Sequence, residues 1–311
     1  MLFISDFFCI FVLINKFYVM DIGYACINMS MGTSVTTNRS MIKRTFNARG
    51  LNYVSELALL NSKDIIKILQ WNLKNGIKFF RLSSAIIPWG DKIDLTQLKD
   101  YQAIGSELKK AGDFATQNGI RITSHPGPFV VLVSPNETVV QNAILDLEMH
   151  GKVFDMMGLS KSVYNKINIH CNGVYGDKLS AMNRFCDNYN KLSESVKSRL
   201  TIENDDKASM YSVSDLMYIH TKIKIPIAFD YHHHQFCTGD IAENEALSLA
   251  VSTWPDGITP VVHYSESREG AKPQAHSDYI KSLPNTYGHT VAIMVEAKAK
   301  ELAILPFINK L

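Results

Sequence analysis

Short runs of β-branched and aromatic residues alternate along the chain with longer stretches in which apolar positions recur every three or four residues. The short runs are typical of buried strands and the long stretches of amphipathic helices, so their alternation predicts βαβ units and a parallel sheet. The alternation occurs eight times. The predicted strands are Asp21–Cys26, Lys78–Leu82, Arg121–Ser124, Lys166–Ile169, Leu200–Ile202, Pro226–Phe229, Thr259–Val262 and Thr290–Val295.

Glycines mark the ends of several helical stretches. Gly76, Gly119 and Gly158 each follow such a stretch, where glycine readily adopts the left-handed conformation that ends a helix. No G-x-G-x-x-G sequence follows the first strand, so the pattern favours one closed (β/α)8 TIM barrel over an open dinucleotide-binding sheet. The clearest predicted helices are Ser62–Asn75, Leu95–Asn118, Asn136–Met157, Lys178–Val196, Ser212–Lys222 and Glu243–Ser252.

The first nineteen residues do not continue this pattern. They are apolar, but Asp6, Asn15 and Lys16 interrupt them, and they are too short for a good membrane span. They also lack the basic start and small-residue cleavage site of a signal peptide. Translation from Met20 would account for them, because the first strand follows at once. We therefore divide the chain into an apolar extension, residues 1–19, and a barrel domain, residues 20–311.

Composition excludes few functions. The 32 basic and 30 acidic side chains give a net charge of +2, so no overall field indicates a nucleic acid or a membrane as partner. The five cysteines, none of them in a C-x-x-C pair, argue against a disulfide framework. We expect a monomeric, soluble, intracellular protein with no membrane partner.

Six successive predicted strands lead into a histidine or a carboxylate. Any one such histidine is more often a hydrogen-bonded residue of the barrel rim, but the carboxyl ends of all strands meet at that rim. Several carboxylates and imidazoles buried together need a compensating cation. The residues at the strand ends are His125, His170, Glu203, Asp230 with His233, His263, and Glu296.

Mixed imidazole and carboxylate ligands suit zinc, manganese or iron. Because carboxylates can bridge ions, we expect a multinuclear metal site at the carboxyl rim. Two ions roughly 3.5–4 Å apart stabilise the attacking and leaving oxygens of phosphoester hydrolysis. From the residues alone, the protein is a hydrolase or an isomerase.

Ten sequence motifs, in order along the barrel domain, resemble those of the UV damage endonucleases, relatives of endonuclease IV. They include Phe79–Ser84, Ser124–Gly127, His170–Lys178, Asp230–His234 and Met294–Glu301. The resemblance implies a metal-dependent DNA repair endonuclease that nicks damaged duplex DNA on the 5′ side of UV photoproducts.

The resemblance also implies roles for individual residues. Glu203 would bridge two ions and act in catalysis, and up to three ions, most often Mn²⁺ with Zn²⁺ as the alternative, would be held in all. Tyr24 would lie near the lesion and, with Lys92, would take part in catalysis. Asn38, Arg39, Lys178, Lys298 and Lys300 would contact DNA. The implied metal ligands are His125, His170, Glu203, Asp230, His233, His263, His276 and Glu296.

Three positions depart from the family pattern. Pro128-Phe129 replaces a Gln-Tyr pair that probes the damaged bases; Phe129 can still insert into a base step, but Pro128 cannot donate a hydrogen bond. Lys92 stands where a histidine is usual, and we expect it to stabilise phosphate charge. Val261 replaces a lysine of the metal centre, which puts the third ion in question. These departures leave open a broader lesion range that includes abasic sites, and a lesion-binding protein without activity. A metal-dependent sugar isomerase is the alternative on the same fold.

Overall fold

The computed structural model describes residues 21–308, and within them eight parallel strands close into a barrel in the order β1 to β8. The predicted extension, residues 1–19, lies outside the described residues, as do residues 20 and 309–311 of the predicted domain. The strands are β1 (Ile22–Ala25), β2 (Phe79–Leu82), β3 (Arg121–Ser124), β4 (Ile167–His170), β5 (Leu200–Glu203), β6 (Ile227–Asp230), β7 (Val261–Tyr264) and β8 (Ala292–Val295).

Each strand pairs in parallel with the next one along the chain, and β8 pairs with β1 to close the barrel, with Tyr24 opposite Val295. Nearly every strand residue is buried, because side chains face either the barrel interior or the surrounding helices. The predicted TIM barrel is therefore confirmed. Its core is a continuous cluster of aliphatic and aromatic side chains between the strands and the helices.

Nine helices surround the barrel within the described residues. The predicted helices in the third, fifth and sixth βα units agree with the structure to within one residue. The helices are α1 (Lys43–Lys74), α2 (Tyr101–Gln117), α3 (Glu137–Met157), α4 (Lys178–Tyr189), α5 (Glu194–Lys197), α6 (Val213–Ile223), α7 (Tyr231–His234), α8 (Glu243–Ser252) and α9 (Glu301–Ile308).

The other predicted helices were wrong in their bounds. Helix α1 begins nineteen residues before the predicted Ser62 and has non-helical backbone angles at Gly50. The predicted helix Lys178–Val196 is two helices, because the Ser193 side chain accepts from the Val196 amide and starts α5 anew. Helix α2 starts at Tyr101 rather than Leu95, where a separate 3-10 turn is capped by Asp94. Helices α7 and α9 were not predicted.

No helix within residues 21–308 combines the length and the apolar composition that crossing a membrane requires. In the same range Cys26, Cys171, Cys186 and Cys237 are free thiols. Cys9 falls in the extension, outside the described residues.

Candidate metal centre

The fold brings the predicted histidines and carboxylates together at the carboxyl rim of the barrel. Glu203 and Asp230 are the last residues of β5 and β6, and His263 lies within β7. All three are fully buried. His125 and Glu296 follow β3 and β8 directly, so the barrel closure that the sequence predicted places six strand ends around one point.

Glu203 occupies the centre of this cluster. Its Oε2 atom lies 3.0 Å from Nδ1 of His263 and 3.2 Å from Nε2 of His125. Nε2 of His170 is 3.8 Å from the same oxygen, and Nδ1 of His233 is 3.4 Å from Oε1. One carboxylate therefore faces four imidazoles.

Two groups in the cluster have their ligand atoms close enough to hold one ion each. His125, His170 and Glu203 form the first group, and Glu203, Asp230 and His263 form the second. Glu203 belongs to both, which is the arrangement that a carboxylate bridging two ions requires.

Several buried polar atoms in the cluster have no hydrogen-bond partner, which indicates that the residues suit a cation. They include Oε1 of Glu203, Oδ2 of Asp230 and Nδ1 of His263. Such atoms are costly to bury unless something satisfies them. Nδ1 of His263 lies near oxygens of both Glu203 and Glu296, yet without hydrogen-bond geometry. Atoms that face a common point in this way fit the donor set of a divalent metal.

Neighbouring groups determine which nitrogen several histidines can offer. Nδ1 of His125 lies 2.9 Å from the carbonyl oxygen of Pro126, which can only accept, so this nitrogen carries the proton and Nε2 is left as a ligand. The carbonyl of Asn204 fixes His233 in the same way at 2.9 Å. Nδ1 of His170 faces the Asp205 carboxylate at 3.2 Å. Such partners orient metal-binding imidazoles.

Lys166 contributes an amine that the sequence reasoning missed. Its side chain is fully buried, and Nζ lies 2.9 Å from Nε2 of His263. Burial lowers the pKa of Lys166 to about 7 and that of His263 to about 4. Val261, where the resemblance implies a lysine, is buried in an apolar cluster with Phe79 and Met294. The sequence feature that could have identified Lys166 is a lysine directly before a buried strand.

Arg81 is a second missed residue, although its motif was recognised. Its guanidinium pairs with Oε1 of Glu296, and both side chains are largely buried. Burial raises the pKa of Glu296, but the Arg81 charge together with His263 and His125 outweighs it and holds this pKa well below its usual range. His276 lies at the edge of the cluster, with Nδ1 4.0 Å from Oε2 of Glu296. His276 thus belongs to neither of the two groups around Glu203.

The family model described as UV-endonuclease UvdE matches residues 20–311. The chain belongs to this family. A "UV-damage endonuclease" of Schizosaccharomyces pombe (strain 972 / ATCC 24843) is 35% identical over 306 residues, covering 93% of this chain and 50% of that protein. A "UV DNA damage endonuclease" of Clostridium perfringens (strain 13 / Type A) is 35% identical over 302 residues, covering 94% and 71%. The chain thus spans about half the length of the first relative.

The family's fold is also seen in solved structures. The crystal structure of SacUVDE has 34% sequence identity and a TM-score of 0.83, and the match covers 94% of this chain and 98% of that one. A D-psicose 3-epimerase from Clostridium cellulolyticum H10 has a TM-score of 0.53 at 11% identity, covering 75% of this chain and 79% of the epimerase. The second match shows a shared fold alone.

The predicted DNA contacts of this UvdE-family chain differ in exposure. Phe129 is 88% exposed in the loop after β3, next to exposed Pro128. Lys298 is also exposed, and Lys300 is half-buried. Lys178 forms an ion pair with Asp215 at 2.9 Å. The Phe129 ring and the Lys298 amine are therefore the members of this set most open to a ligand.

Two predicted DNA contacts lie in the loop between β1 and α1, residues 26–42, which we call the β1 loop. The Arg39 guanidinium pairs with Asp64 at 2.7 Å and donates to the carbonyl oxygens of Thr36 and Ser34. Arg39 thus holds the loop itself. Asn38 is exposed on the same loop.

The structure places Lys92 and Tyr24 away from the carboxylate cluster. The Lys92 amine contacts Asn142 of α3 and Asp91, each at 2.9 Å. The Tyr24 hydroxyl is buried, donates to Asn72 at 2.6 Å and accepts from Asn28 at 2.9 Å. Burial raises the pKa of Tyr24. Neither side chain contacts any of the predicted metal ligands in the described part of the chain.

Proposed function

We propose that this protein is a metal-dependent endonuclease that nicks damaged duplex DNA on the 5′ side of UV photoproducts and of other distorting lesions. The observation that carries the proposal is Glu203, a buried carboxylate shared by two groups of ligand atoms, in a chain of the UV-endonuclease family. The matching relatives bear the names of UV-damage endonucleases.

The two groups around Glu203 would hold one ion each. His125 and His170 would complete the first site, and Asp230 and His263 the second. When bound, divalent ions such as Mn²⁺ or Zn²⁺ supply Lewis acidity, which lowers the pKa of water and stabilises charge on the departing 3′ oxygen. A third ion would rely on His233, His276 and Glu296.

The protein's own groups would orient this site and keep water out of it. The carbonyl oxygens of Pro126 and Asn204 hold His125 and His233 in fixed tautomers, and the Asp205 carboxylate, 3.2 Å from Nδ1 of His170, would orient that ring. Because Glu203, Asp230 and His263 are buried at the strand ends, their geometry is set by the barrel rather than by mobile loops. Arg81 keeps one oxygen of Glu296 occupied and adds a fixed positive charge near the site.

The rim loops would position the duplex. Phe129 has the exposure that an apolar wedge between base pairs needs. Lys178, Lys298 and Lys300 would contact phosphates, which positions DNA without reading its sequence. Because Pro128 lacks the amide of the usual glutamine, we propose a broader lesion range that extends to abasic sites. Lys92 and Tyr24 would reach bound DNA only if they gave up the hydrogen bonds and ion pairs that they form within the protein.

A nicking assay tests this function. Purified protein with Mn²⁺ would receive end-labelled duplexes that carry one cyclobutane pyrimidine dimer, one abasic site or no lesion. We expect a single nick 5′ to each lesion, lost with chelator and in Glu203→Gln, and no nick in the intact duplex. Tight binding to the lesion without a nick at any Mn²⁺ concentration would show a binding protein instead. Sugar turnover with intact DNA would support the isomerase.

A further inference from the structure

The loop between β4 and α4, residues 171–177, which we call the β4 loop, carries a strained and exposed aromatic residue. Tyr175 has a φ angle of 52°, in the left-handed region that a bulky side chain seldom adopts. Tyr175 is also 50% exposed, and within the described residues its hydroxyl has no hydrogen-bond partner. Because so exposed a ring gains little from packing, the strained conformation points to a role in binding.

Contacts on both sides hold the β4 loop in this conformation. The Asn172 amide donates to the carbonyl oxygen of Val130, in the loop after β3, at 3.3 Å. On the other side the Tyr211 hydroxyl donates to the carbonyl oxygen of Gly173 at 3.2 Å. The Tyr175 ring lies against the Gly173 backbone, where a side-chain carbon would come within 3.0 Å of the ring. The ring is thus positioned before any ligand arrives, which lowers the entropic cost of binding.

A guanidinium lies beside the ring. The Cζ atom of Arg184 is 5.9 Å from the centroid of the Tyr175 ring, and Nε of Arg184 donates to the carbonyl oxygen of Val133 at 2.8 Å. Within residues 21–308 the terminal nitrogens of Arg184 donate to no protein atom and form no ion pair. Arg184 therefore keeps its terminal N–H groups for an anion, while Nε fixes the direction of the side chain.

An aromatic ring beside a free guanidinium matches one nucleotide of a DNA duplex. Bases in a duplex are stacked on one another, so the apolar surface that a residue outside the helix can reach is the face of a deoxyribose. The phosphate that adjoins each sugar is an anion that a guanidinium binds through charge-assisted hydrogen bonds. Contacts to sugar and phosphate position a duplex without reading its sequence.

The place of this pair on the rim favours DNA over a free nucleotide. Tyr175 follows His170, a predicted metal ligand at the end of β4. Strand β4 pairs with β3, and the loop after β3 carries the exposed Phe129. The bond from Asn172 to Val130, the residue after Phe129, joins the two loops. Both loops therefore face the same side of the metal centre.

We propose that Tyr175 and Arg184 form a subsite for one nucleotide of the duplex beside the lesion. The Tyr175 ring packs on the deoxyribose, and the Arg184 guanidinium binds the adjoining phosphate. The proposal rests on the endonuclease function proposed above and adds a positioning subsite to it. Because an undamaged nucleotide offers the same sugar and phosphate, the subsite should strengthen binding of damaged and intact duplexes by the same factor.

Substitutions that separate the ring from the charge test the proposal. Tyr175→Asn removes the ring, and asparagine tolerates the left-handed conformation, so this variant should fold at least as well as wild type. Tyr175→Phe keeps the ring. Arg184→Gln removes the charge but keeps an amide that can donate to Val133. Leu179→Ala is the control for an exposed apolar side chain of α4, and Lys74→Gln for an exposed cation in the last turn of α1, at the opposite end of the barrel.

Two measurements with Mn²⁺ present separate binding from chemistry. Fluorescence anisotropy gives the affinity for an intact duplex at several salt concentrations. Single-turnover nicking of a duplex with one abasic site gives the protein concentration at half-saturation and the maximal rate. Tyr175→Asn and Arg184→Gln should each weaken intact-duplex binding about 5-fold or more, and raise the half-saturating concentration by the same factor, with the maximal rate unchanged.

The salt dependence distinguishes the two residues. Arg184→Gln should reduce the slope of log affinity against log salt concentration by about 1, the loss of one phosphate contact, and Tyr175→Asn should leave this slope unchanged. Tyr175→Phe and both controls should bind within a factor of two of wild type. Unchanged binding in Tyr175→Asn, an unchanged slope in Arg184→Gln, or a loss confined to the lesion duplex would overturn the subsite.

The same samples test the endonuclease function separately. A wild type that binds the intact duplex but nicks no lesion duplex overturns that function, and the anisotropy measurements then decide the subsite alone. A wild type that neither binds nor nicks DNA overturns both.

Discussion

The two ends of the barrel bury charge in opposite ways. At the amino-terminal end the Arg121 guanidinium is almost fully buried and donates to the carbonyl oxygens of Tyr164, Thr259 and Val163 at 2.6, 2.8 and 3.1 Å. At the carboxyl end Glu203 and Asp230 are equally buried, yet each keeps an oxygen without a partner. Backbone carbonyl oxygens satisfy the buried charge at the amino-terminal end, whereas the buried charges at the carboxyl end lack hydrogen-bond partners for some of their oxygens.

This difference separates stability from function. Arg121 also lies near the rings of Phe79, Tyr164 and Trp254, so it closes the barrel as a packed and hydrogen-bonded element. The unsatisfied carboxylates at the rim reduce the stability of the metal-free protein and are retained, in our account, because they bind ions. TIM barrels in general hold stability at the first end and chemistry at the second.

The largest expected effect is at the rim. Glu203→Gln should reduce nicking by more than about 10²-fold, because it removes the oxygen shared by both ion sites. The free energy of unfolding of the metal-free protein should fall by no more than about 1 kcal/mol, since glutamine keeps an oxygen that can accept from Asn168 and the other oxygen of Glu203 has no hydrogen-bond partner. Chemical denaturation and the nicking assay measure the two effects. A large loss of stability would make Glu203 a structural residue.

The reverse pattern is expected at the other end. Arg121→Met should lower the free energy of unfolding by about 2–4 kcal/mol, because three buried carbonyl oxygens lose their donor. Mn²⁺ affinity, measured by calorimetry on the folded variant, should stay within a factor of two of wild type. Arg121→Lys, which keeps the charge but offers fewer directed donors, should be intermediate in stability. Loss of Mn²⁺ binding in either variant would contradict the separation of the two ends.

A substitution beside the cluster should have a smaller effect on metal binding. Asp205→Asn weakens the group that orients His170, and such changes typically cost about 10-fold or more in metal affinity. Asp206→Asn, at the neighbouring position, is the matched control and should leave the affinity unchanged. Calorimetric titration with Mn²⁺ at one pH measures both. Equal affinities in the two variants would show that Asp205 does not orient the ligand.

The smallest expected effect concerns Asp64, a rim carboxylate that is paired as completely as Arg121. Burial raises the pKa of Asp64, but hydrogen bonds from Lys67 and Arg39 outweigh it and lower this pKa below its usual value. A lowered carboxyl pKa stabilises the folded state above the unfolded-state pKa of about 3.9, and this contribution is lost as the pH falls through the folded-state pKa. Thermal unfolding should therefore show Asp64→Asn less stable than wild type at pH 6, with the difference shrinking as the pH falls below about 4. A constant difference in stability between the two proteins across this pH range would show that ionisation of Asp64 does not stabilise the fold.

The barrel could be predicted from the sequence because its strands are short, buried and regularly spaced. The strand ends also identified the cluster, since the carboxyl ends of parallel strands meet wherever the barrel closes. His125, Glu203 and His263 were found in this way, without knowledge of their distances. Helix bounds were less predictable: local capping decided them, as Ser193 did by starting α5 within a predicted single helix.

The supporting residues could not be predicted because their partners are distant in sequence. Lys166 meets His263 across 97 positions, and Arg81 meets Glu296 across 215. For Arg39 the sequence motif itself was misleading. The motif predicted a DNA phosphate contact, but in the folded loop the guanidinium pairs with Asp64. Which partner a charged side chain takes is decided by tertiary packing, which a local pattern does not encode.

The central claim is that Glu203 is shared by two ion sites at the unsatisfied end of the barrel. Calorimetric titration of metal-free wild type and Glu203→Gln with Mn²⁺, together with the number of ions retained per chain, tests it most directly. We predict at least two ions per wild-type chain, and in the variant the loss of tight binding at both sites together. Wild type that binds no Mn²⁺, or a variant that binds as many ions with equal affinity, would contradict the claim.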